Sequence, residues 1–513
     1  MNLSNFFKLN KKESDQSEKK REYTLLNKEA LTEEKKVAVV VPVYNAEQYL
    51  RKTVDSVILQ NIGFHHISLI LVDDCSTDES RNILTQYAEL YENITVVFLK
   101  NNTGTPAFPR NLGIELANAK YITFLDADDW FAPNGVKILF DMLEENNVNY
   151  AVGKTIEMQV NGQKAIGKHE SSLKREKVSP FSIPHIFYHL GPRARMMNLQ
   201  FLKDNNIRYP EMKFAEDKQF FMDVLLSCGD IATSTEPIYY LNRMDNNESL
   251  TKQTNIMEKT DTNIAVMKYI LNKKLDVEKE KMAMNRLIEF DSITRLFDRM
   301  HYLKSENKQA YYNKFNEILS VLKKTTNYDI SETFFHPIHK TAFQLLKQKR
   351  YAEIEKLFRW SKKEPNKKII TKDGLAFLES PLTDVENKLI ELRMHGETEN
   401  AEFSNGKFVI TFQLFGRARN NAKYVQFQSR NDMKVYYQFN VQLQEDGRYV
   451  LEIPLDDIEK IGIGGYIMYV IYNDYERVTL YKEDDQQILA ETSGRKYQFY
   501  RTVKENLSLK VIK

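Results

Sequence analysis

The sequence predicts a three-part chain: an α/β domain on a mostly parallel sheet, a helical linker, and an all-β, sandwich-like end. Three observations carry this. Up to about residue 250, strand-like runs and helical patterns alternate with short connections, as in a parallel sheet covered by helices. No glycine occurs between Gly229 and Gly374 and no proline between Pro237 and Pro337, which suits uninterrupted helices. From about residue 400 the hydrophobic period changes to two. The expected boundaries are 1–35 for a polar tail, 36–250 for the α/β domain, 251–380 for the linker and 381–513 for the β-rich end.

The elements follow in order. "VAVVVPVYN" is a buried parallel-type strand stopped near Pro42. Tyr49, Leu50, Val54, Val57 and Ile58 then recur at helical steps. "ISLILVDD" is a second strand, "SRNILTQYAEL" a helix, "ITVVFLK" a third strand, "NLGIELANA" a helix and "KYITFLDADD" a fourth strand. In the linker, Ile264, Met267, Leu271 and Leu275 are expected on one helical face, and Leu287, Phe290, Thr294 and Phe297 on another. At the end, "KFVITFQLF", "YVQFQSR", "KVYYQFNVQL", "RYVLEIPL", "YIMYVIYN" and "RVTLYK" read as β segments between "NG", "EDG" and "GIGG" turns.

Composition excludes several classes. The 513 residues are 42% hydrophobic and 12% aromatic, enough for real cores. With 73 Lys plus Arg against 71 Asp plus Glu, no global basic field points to nucleic acid. The two cysteines, Cys75 and Cys228, do not make a disulfide framework. No apolar run reaches bilayer-spanning length, about 20 residues, and the expected location is the cytoplasm. The "LSNFF" near the start, followed by lysines, offers a peripheral touch on a membrane surface. A disordered basic tail gives the same letters.

Polar clusters follow the strands, where open α/β sheets bind ligands. "FLDADDW" puts Asp126, Asp128 and Asp129 against an apolar run, where carboxylates are costly to desolvate. Residues two apart share a face of an extended chain, so Asp126 and Asp128 could converge on a hard cation such as Mg²⁺ or Mn²⁺. A capped strand end reads identically, and Asp129 reads as a helix cap. In "VDDCSTD", Asp74 could accept from a base N–H, while Ser76, Thr77 and Asp78 suit capping of the next helix. In "NNTGTPAFPRN", Arg110 is either a carboxylate or phosphate partner or a surface residue at a helix start. In "FAEDKQFF", Glu216 and Asp217 open an amphipathic helix, and either the helix dipole or general-base chemistry explains a carboxylate there. Trp130 suits sugar stacking or a lid on the core. His185 and His189 suit a metal pair on a helix, or ordinary core or surface positions.

Together and in this order, "VVVPVYNAEQYLRKTVDSV", "ILVDDCSTDES", "NNTGTPAFPRNLGIELANAKYITFLDADDW" and "AEDKQF" resemble the family 2 glycosyltransferases of the GT-A fold, over about residues 37–250. The resemblance implies an inverting transferase using a nucleotide-diphosphate sugar and Mn²⁺ or Mg²⁺. It implies that Pro42, Tyr44 and Glu47 line the nucleotide pocket, that Asp74 contacts uracil, and that Asn102 and Arg110 hold the nucleotide. Asp126 would meet the ribose or the metal's water shell, beside Ala127. Asp128 would ligate the metal, and Asp217 would be the catalytic base.

"FLKDNNIRYPEMKFAEDKQFF", "YYLNRMDNNESLTK", the linker and the β-rich end look like the wall teichoic acid glycosyltransferases of Gram-positive bacteria. That resemblance implies UDP-N-acetylglucosamine as donor, a poly(ribitol phosphate) acceptor, β linkage and a homotrimer held by the β-rich part. Arg193, Arg195 and Arg208 become candidates for acceptor phosphates, with Glu216 beside them. Ser249 is a weak candidate for the diphosphate, because the histidine some relatives carry after "YY" is missing here. A capsule or exopolysaccharide transferase using UDP-galactose or UDP-N-acetylgalactosamine fits the same motifs. A non-catalytic glycan-binding or scaffold protein is the alternative from another class.

Overall fold

The computed structural model describes residues 22–160, 162–244, 255–325, 328–432 and 435–513. The chain divides into two compact units. The first holds the described residues up to Glu157, Leu173–Ile183 and His189 to 244. The second holds Met158–Ser172, Pro184–Tyr188 and the described residues from 255 on.

In the first unit the strands are β1 (Tyr23–Leu26), β2 (Lys35–Val43), β3 (Ile67–Asp73), β4 (Ile94–Leu99), β5 (Ala119–Phe124), β6 (Trp130–Phe131), β7 (Tyr150–Gln159), then β8 (Gly162–Ile166, counted with the second unit), β9 (Arg175–Val178), β10 (Arg195–Asn198) and β11 (Ile231–Arg243). The helices are α1 (Leu50–Ile58), α2 (Ser80–Leu90), α3 (Ala107–Leu116), α4 (Gly135–Asn146), α5 (Leu199–Asp204) and α6 (Glu216–Ser227). The sheet runs β1-β4-β3-β2-β5-β10-β7-β11-β6. Its β4-β3-β2-β5 centre is parallel, and β10 joins β5 antiparallel.

All seven residues of β3 are buried, as expected of a strand covered on both faces. The strand order reverses between β2 and β5, so their carboxyl ends flank a switch-point crevice. Residues 22–35, expected within the tail, are ordered. Tyr23–Leu26 pairs with β4 at the sheet edge, and the Asn27 amide bonds the Ala88 and Ile94 carbonyls. Three apolar or aromatic side chains in the "YTLL" run supply an edge strand that the surrounding charges obscure.

The second unit has α7 (Ile256–Asn272), α8 (Val277–Asn285), α9 (Lys308–Thr325), α10 (Pro337–Lys347) and α11 (Tyr351–Lys363). Residues Arg286–Thr294 form a π-helix. Its wider turn breaks the expected Leu287, Phe290, Thr294, Phe297 stripe. Leu287, Ile288, Ile293 and Phe297 are buried, whereas Phe290 is exposed. A three-stranded sheet, β12 (Ile369–Lys372), β13 (Leu375–Glu379) and β14 (Leu389–Glu391), follows.

The end of the chain is two further sheets, of five and seven strands, whose inner faces share one core. In β16 (Lys407–Phe415, after β15, His395–Ser404) burial alternates residue by residue, so Phe408, Ile410, Phe412 and Leu414 enter that core. No helix among the described residues is long and apolar enough to cross a membrane.

Candidate active site

The parallel strands bring the polar clusters to one edge of the first unit. Val43 lies opposite Asp73 and Val40 opposite Phe124, so Tyr44, Asp74 and the 126–129 stretch leave the sheet at neighbouring strand ends. Pro42 is half-buried and Tyr44 is exposed. The buried Asp74 accepts from Thr103 N at 2.8 Å and Thr103 Oγ1 at 2.9 Å. Asn102 shapes the same loop: its amide donates to the Asp74 carbonyl and its oxygen accepts from Gly104 N. Glu47 accepts from Glu79 N, and Asp78 accepts from Glu47 N and Ser80 N. The cap residue of α2 is Glu79, whose side chain makes no capping bond; Asp78, one residue before it, accepts from the first helical N–H and Glu47 accepts from Glu79 itself.

Asp126, Ala127 and Asp128 are half-buried beyond β5, and Asp129 is fully buried. Asp129 is not a helix cap. Its carboxylate accepts from Tyr239 Oη at 2.7 Å and Asn242 N at 2.7 Å, which ties the loop to β11. Burial and the neighbouring Asp128 and Asp126 raise its pKa well above the ordinary value. Burial, then Asp126, pushes Asp128 up to about 6, although Arg243 and Arg193 pull the other way.

Arg110 joins this cluster to the Glu216–Asp217 pair. It is buried, not a surface residue. Its Nη2 donates to Asp126 Oδ1 at 2.7 Å and its Nη1 to Glu216 Oε1 at 3.3 Å. Its guanidinium carbon lies 5.2 Å from the Tyr209 ring centroid. Helix α3 can seat it there because Gly113 faces β2: a Cβ at Gly113 would come 2.3 Å from Val40 Cγ1. Asn111, next on the helix, exchanges two 2.8 Å hydrogen bonds with the Tyr209 backbone.

Glu216 and Asp217 open α6, after Ala215 at φ 67°. A left-handed alanine is strained, a cost typical of functional sites. The helix dipole favours ionised carboxylates here by about 0.3–1 kcal/mol, less than one pKa unit. Burial and mutual repulsion win. Glu216 is pushed up to about 7, by burial and then by Asp217, against the pull of Arg110. Asp217 is raised by burial and opposed by Arg110 and Arg193. Sequence reading missed the bridging role of Arg110, because its partners lie 16 and 106 residues away.

The other expected residues separate clearly. Arg193 is half-buried, its Nε is enclosed without a hydrogen-bond partner, and its charge acts on both Asp128 and Asp217. A Cβ at Gly191 would come 2.9 Å from Arg193 Nη2, so the glycine makes room for the guanidinium. Arg195 is fully buried, held by the His189 carbonyl at 2.7 Å and lying over Phe221, so it does not face an acceptor. A position expected to meet acceptor phosphates is a core position. Arg208 is exposed.

Trp130 is covered by Lys52, whose Nζ is 3.1 Å from the ring centroid, and it stacks on Tyr240. His185 and His189 do not share a helix: the intervening helical turn is only Ile186–Tyr188, and His185 has φ 61°. His189 instead lies 3.2 Å from Arg195. Ser249 lies outside the described residues.

The residues suit a hard divalent cation. Asp126 and Asp128 offer carboxylate oxygen, and the raised pKa of Asp128 marks negative charge that the protein leaves under-compensated. Among the described residues no group of three or more His, Cys, Asp or Glu forms a cage. A Mg²⁺-type ion held by one or two carboxylates plus substrate phosphates needs none.

Residues 38–205 match glycosyl transferase family 2. The chain is similar to a poly(ribitol-phosphate) beta-glucosyltransferase of Bacillus spizizenii, 33% identical over 207 residues, 40% of this chain and 32% of that protein. It is also similar to TarS, a poly(ribitol-phosphate) beta-N-acetylglucosaminyltransferase of Staphylococcus aureus, 31% identical over 208 residues, 40% of this chain and 35% of that protein. The match thus spans about a third of the length of these relatives. The crystal structure of S. aureus TarS has the same fold, with a TM-score of 0.58 at 21% identity over 93% of this chain and 85% of that one. A crystal structure of TarS 1–349 in complex with UDP-GlcNAc matches at a TM-score of 0.56 and 22% identity, over 70% of this chain and 99% of that one.

Proposed function

We propose, from the membership of residues 38–205 in glycosyl transferase family 2, that the chain is an inverting, metal-dependent glycosyltransferase that decorates poly(ribitol phosphate). The donor is UDP-N-acetylglucosamine and the linkage formed is β. One observation carries the reading: Arg110 bonds Asp126 and Glu216 together, so the strand-end acids and the helix-start acids form one site. The poly(ribitol-phosphate) glycosyltransferase activities of the two relatives, and the complex of TarS 1–349 with UDP-GlcNAc, support the acceptor and donor.

Tyr44, Pro42 and Asp74 receive the uridine at the strand ends. Asp128 and Asp126 would hold Mn²⁺ or Mg²⁺. When bound, that ion neutralises the charge developing on the leaving diphosphate. Asp217 takes the proton from the acceptor hydroxyl as that oxygen bonds to the anomeric carbon and the bond to the diphosphate breaks. Arg110 and Arg193 favour the ionised form of Asp217, which a base requires. A single displacement inverts the anomeric centre, so an α-linked donor gives a β-linked product. Unlike a hydrolase with its two flanking carboxylates, this displacement asks one carboxylate base, Asp217, of the protein. The β-rich end serves assembly, with a homotrimer as the expected state, and the enzyme works in the cytoplasm beside the membrane.

The test is release of UDP from a panel of UDP-sugars, with Mn²⁺ or Mg²⁺, with and without purified poly(ribitol phosphate). Release from UDP-N-acetylglucosamine that rises with polymer and stops with chelator is expected. Preference for UDP-glucose, UDP-galactose or UDP-N-acetylgalactosamine would replace the donor. Stimulation only by another polymer would replace the acceptor. No release from any donor would overturn the reading.

A further inference from the structure

The second unit contains a cleft of about 900 Å³, in the size range of small-molecule sites, about 300–1,000 Å³. It lies where α10 packs against β14. Lys340, Thr341, Gln344 and Gln348 of the α10 segment line it. Asn387 and the β14 strand contribute from the other side, and Asn473 lies in a turn of the β-rich part.

Its charges cancel. Three cations, Lys340, Arg393 and Arg417, meet three anions, Glu332, Glu391 and Glu476. Four of the six are already joined in pairs: Arg393 Nη2 to Glu476 Oε1 at 2.6 Å, and Arg417 to Glu391 through two bonds of 2.7 and 2.8 Å. A polyanion gains little field from such a lining.

The amides supply the specificity. Each is fixed by one end and has its other end without a hydrogen-bond partner among the described residues. Gln344 Nε2 is held by Ser331 and Asp329, leaving its oxygen as an acceptor. Asn387 Nδ2 is held by Asp384, leaving a second acceptor. Gln348 Oε1 takes Arg350 Nη1 at 3.2 Å and Asn473 Oδ1 takes Asn421 Nδ2 at 2.8 Å, leaving two amide donors. Two oriented acceptors and two oriented donors match a ligand whose every polar group is both, which is what a hydroxyl is. Phe334 and Tyr472 add apolar surface for the C–H faces of a ring.

We propose that this cleft binds a neutral sugar, the hexose or N-acetylhexosamine already transferred to the polymer, and so retains a decorated chain on the enzyme. The identity of that sugar rests on the proposed activity; the site itself rests on the cleft. Saturation-transfer NMR on the full-length protein, with UDP and Mn²⁺ present, would use the methyl glycosides of β-N-acetylglucosamine, β-glucose, β-galactose and β-N-acetylgalactosamine as probes. Wild type and Asp217→Asn should bind at least one probe. The Gln344→Ala/Asn473→Ala double variant should weaken binding at least about tenfold, and Thr341→Trp, which fills the cleft without removing an amide, should do the same. UDP release on undecorated polymer should be unchanged in both variants, while on pre-decorated polymer their apparent KM rises. Binding unchanged in both variants, or no binding of any probe to wild type, would overturn the proposal. An absence of UDP-sugar turnover by wild type would instead overturn the proposed activity and leave the NMR result to decide the cleft.

Discussion

Two buried acid clusters, one in each unit, are treated in opposite ways. In the first unit Asp128, Asp129, Glu216 and Asp217 all have raised pKa values, despite Arg110 and Arg193. In the second unit Glu289 is fully buried where Asp128, Glu216 and Asp217 are half-buried, yet it sits below the ordinary carboxylate range. Burial alone would raise it. His339, the backbone N–H groups of His336 and Phe335, and the Tyr188 hydroxyl more than offset that. Asp298, beside His339 and Lys362, is lowered against its own burial, and Asp291 pairs with Arg286 and Arg295. Burial does not by itself mark a functional carboxylate. A cluster that the protein leaves short of positive charge suits a cationic ligand, whereas a fully bonded one suits a structural role.

The sharpest way to break this comparison is to neutralise one acid in each cluster. Asp217→Asn should lower turnover of the UDP-sugar by about 10²–10⁴-fold, the range of a lost general base. It should leave the first unit's thermal midpoint unchanged or higher, because it removes charge from an over-acidic cluster. Trp130 reports on that unit in a Trp360→Phe background, since the chain has two tryptophans and each unit holds one. A large drop in that midpoint would make Asp217 a structural residue. Glu289→Gln should do the reverse. It leaves His339 and two backbone donors without their anion and should cost about 3 kcal/mol, read on Trp360 in a Trp130→Phe background, with UDP-sugar turnover at low temperature within a few-fold of wild type.

Much of the first cluster was legible because strand ends and helix starts leave local marks: an apolar run broken by "DADD", and "ED" ahead of an amphipathic stretch. The same holds for the alternating strands, whose period two survives in the burial of Phe408, Ile410 and Phe412. What was hidden depends on distant partners. Nothing around Arg110 announces Glu216, 106 residues on. Arg195 carries the letter of a surface cation but occupies the core, where carbonyl oxygens and aromatic faces replace its water. The second cluster was unreadable throughout. Its ligands come from the short helical turn at Tyr188, a π-helix whose period defeats a helical wheel, and His339 near the start of α10.

The smallest expected effect is on pH dependence, and the carboxylates of the two clusters should disagree in sign. A carboxyl group whose folded pKa is raised stabilises the fold below its unfolded pKa and loses that contribution as pH rises through the folded value. For Asp128 and Glu216 the window runs from the ordinary 3.8 and 4.5 up to about 6 and about 7. Lowering the pH from about 7.5 to about 5 should therefore stabilise the first unit, by on the order of 2 kcal/mol. The depressed Glu289 and Asp298 contribute above their unfolded values and lose that contribution as pH falls through their folded ones, so the second unit should weaken only below the ordinary carboxylate range. His339, raised by Asp298 and Glu289 against its burial, adds stability at low pH that fades as pH rises through its folded value. Thermal midpoints on Trp130 and Trp360, followed from about pH 7.5 to about pH 3, below the ordinary carboxylate range, check both signs. Mn²⁺ with UDP should flatten the Trp130 curve, because the bound cation supplies the charge that protons otherwise supply. A Trp130 midpoint that falls on acidification would mean that these acids are already compensated, and that the first unit differs from the second in letters only.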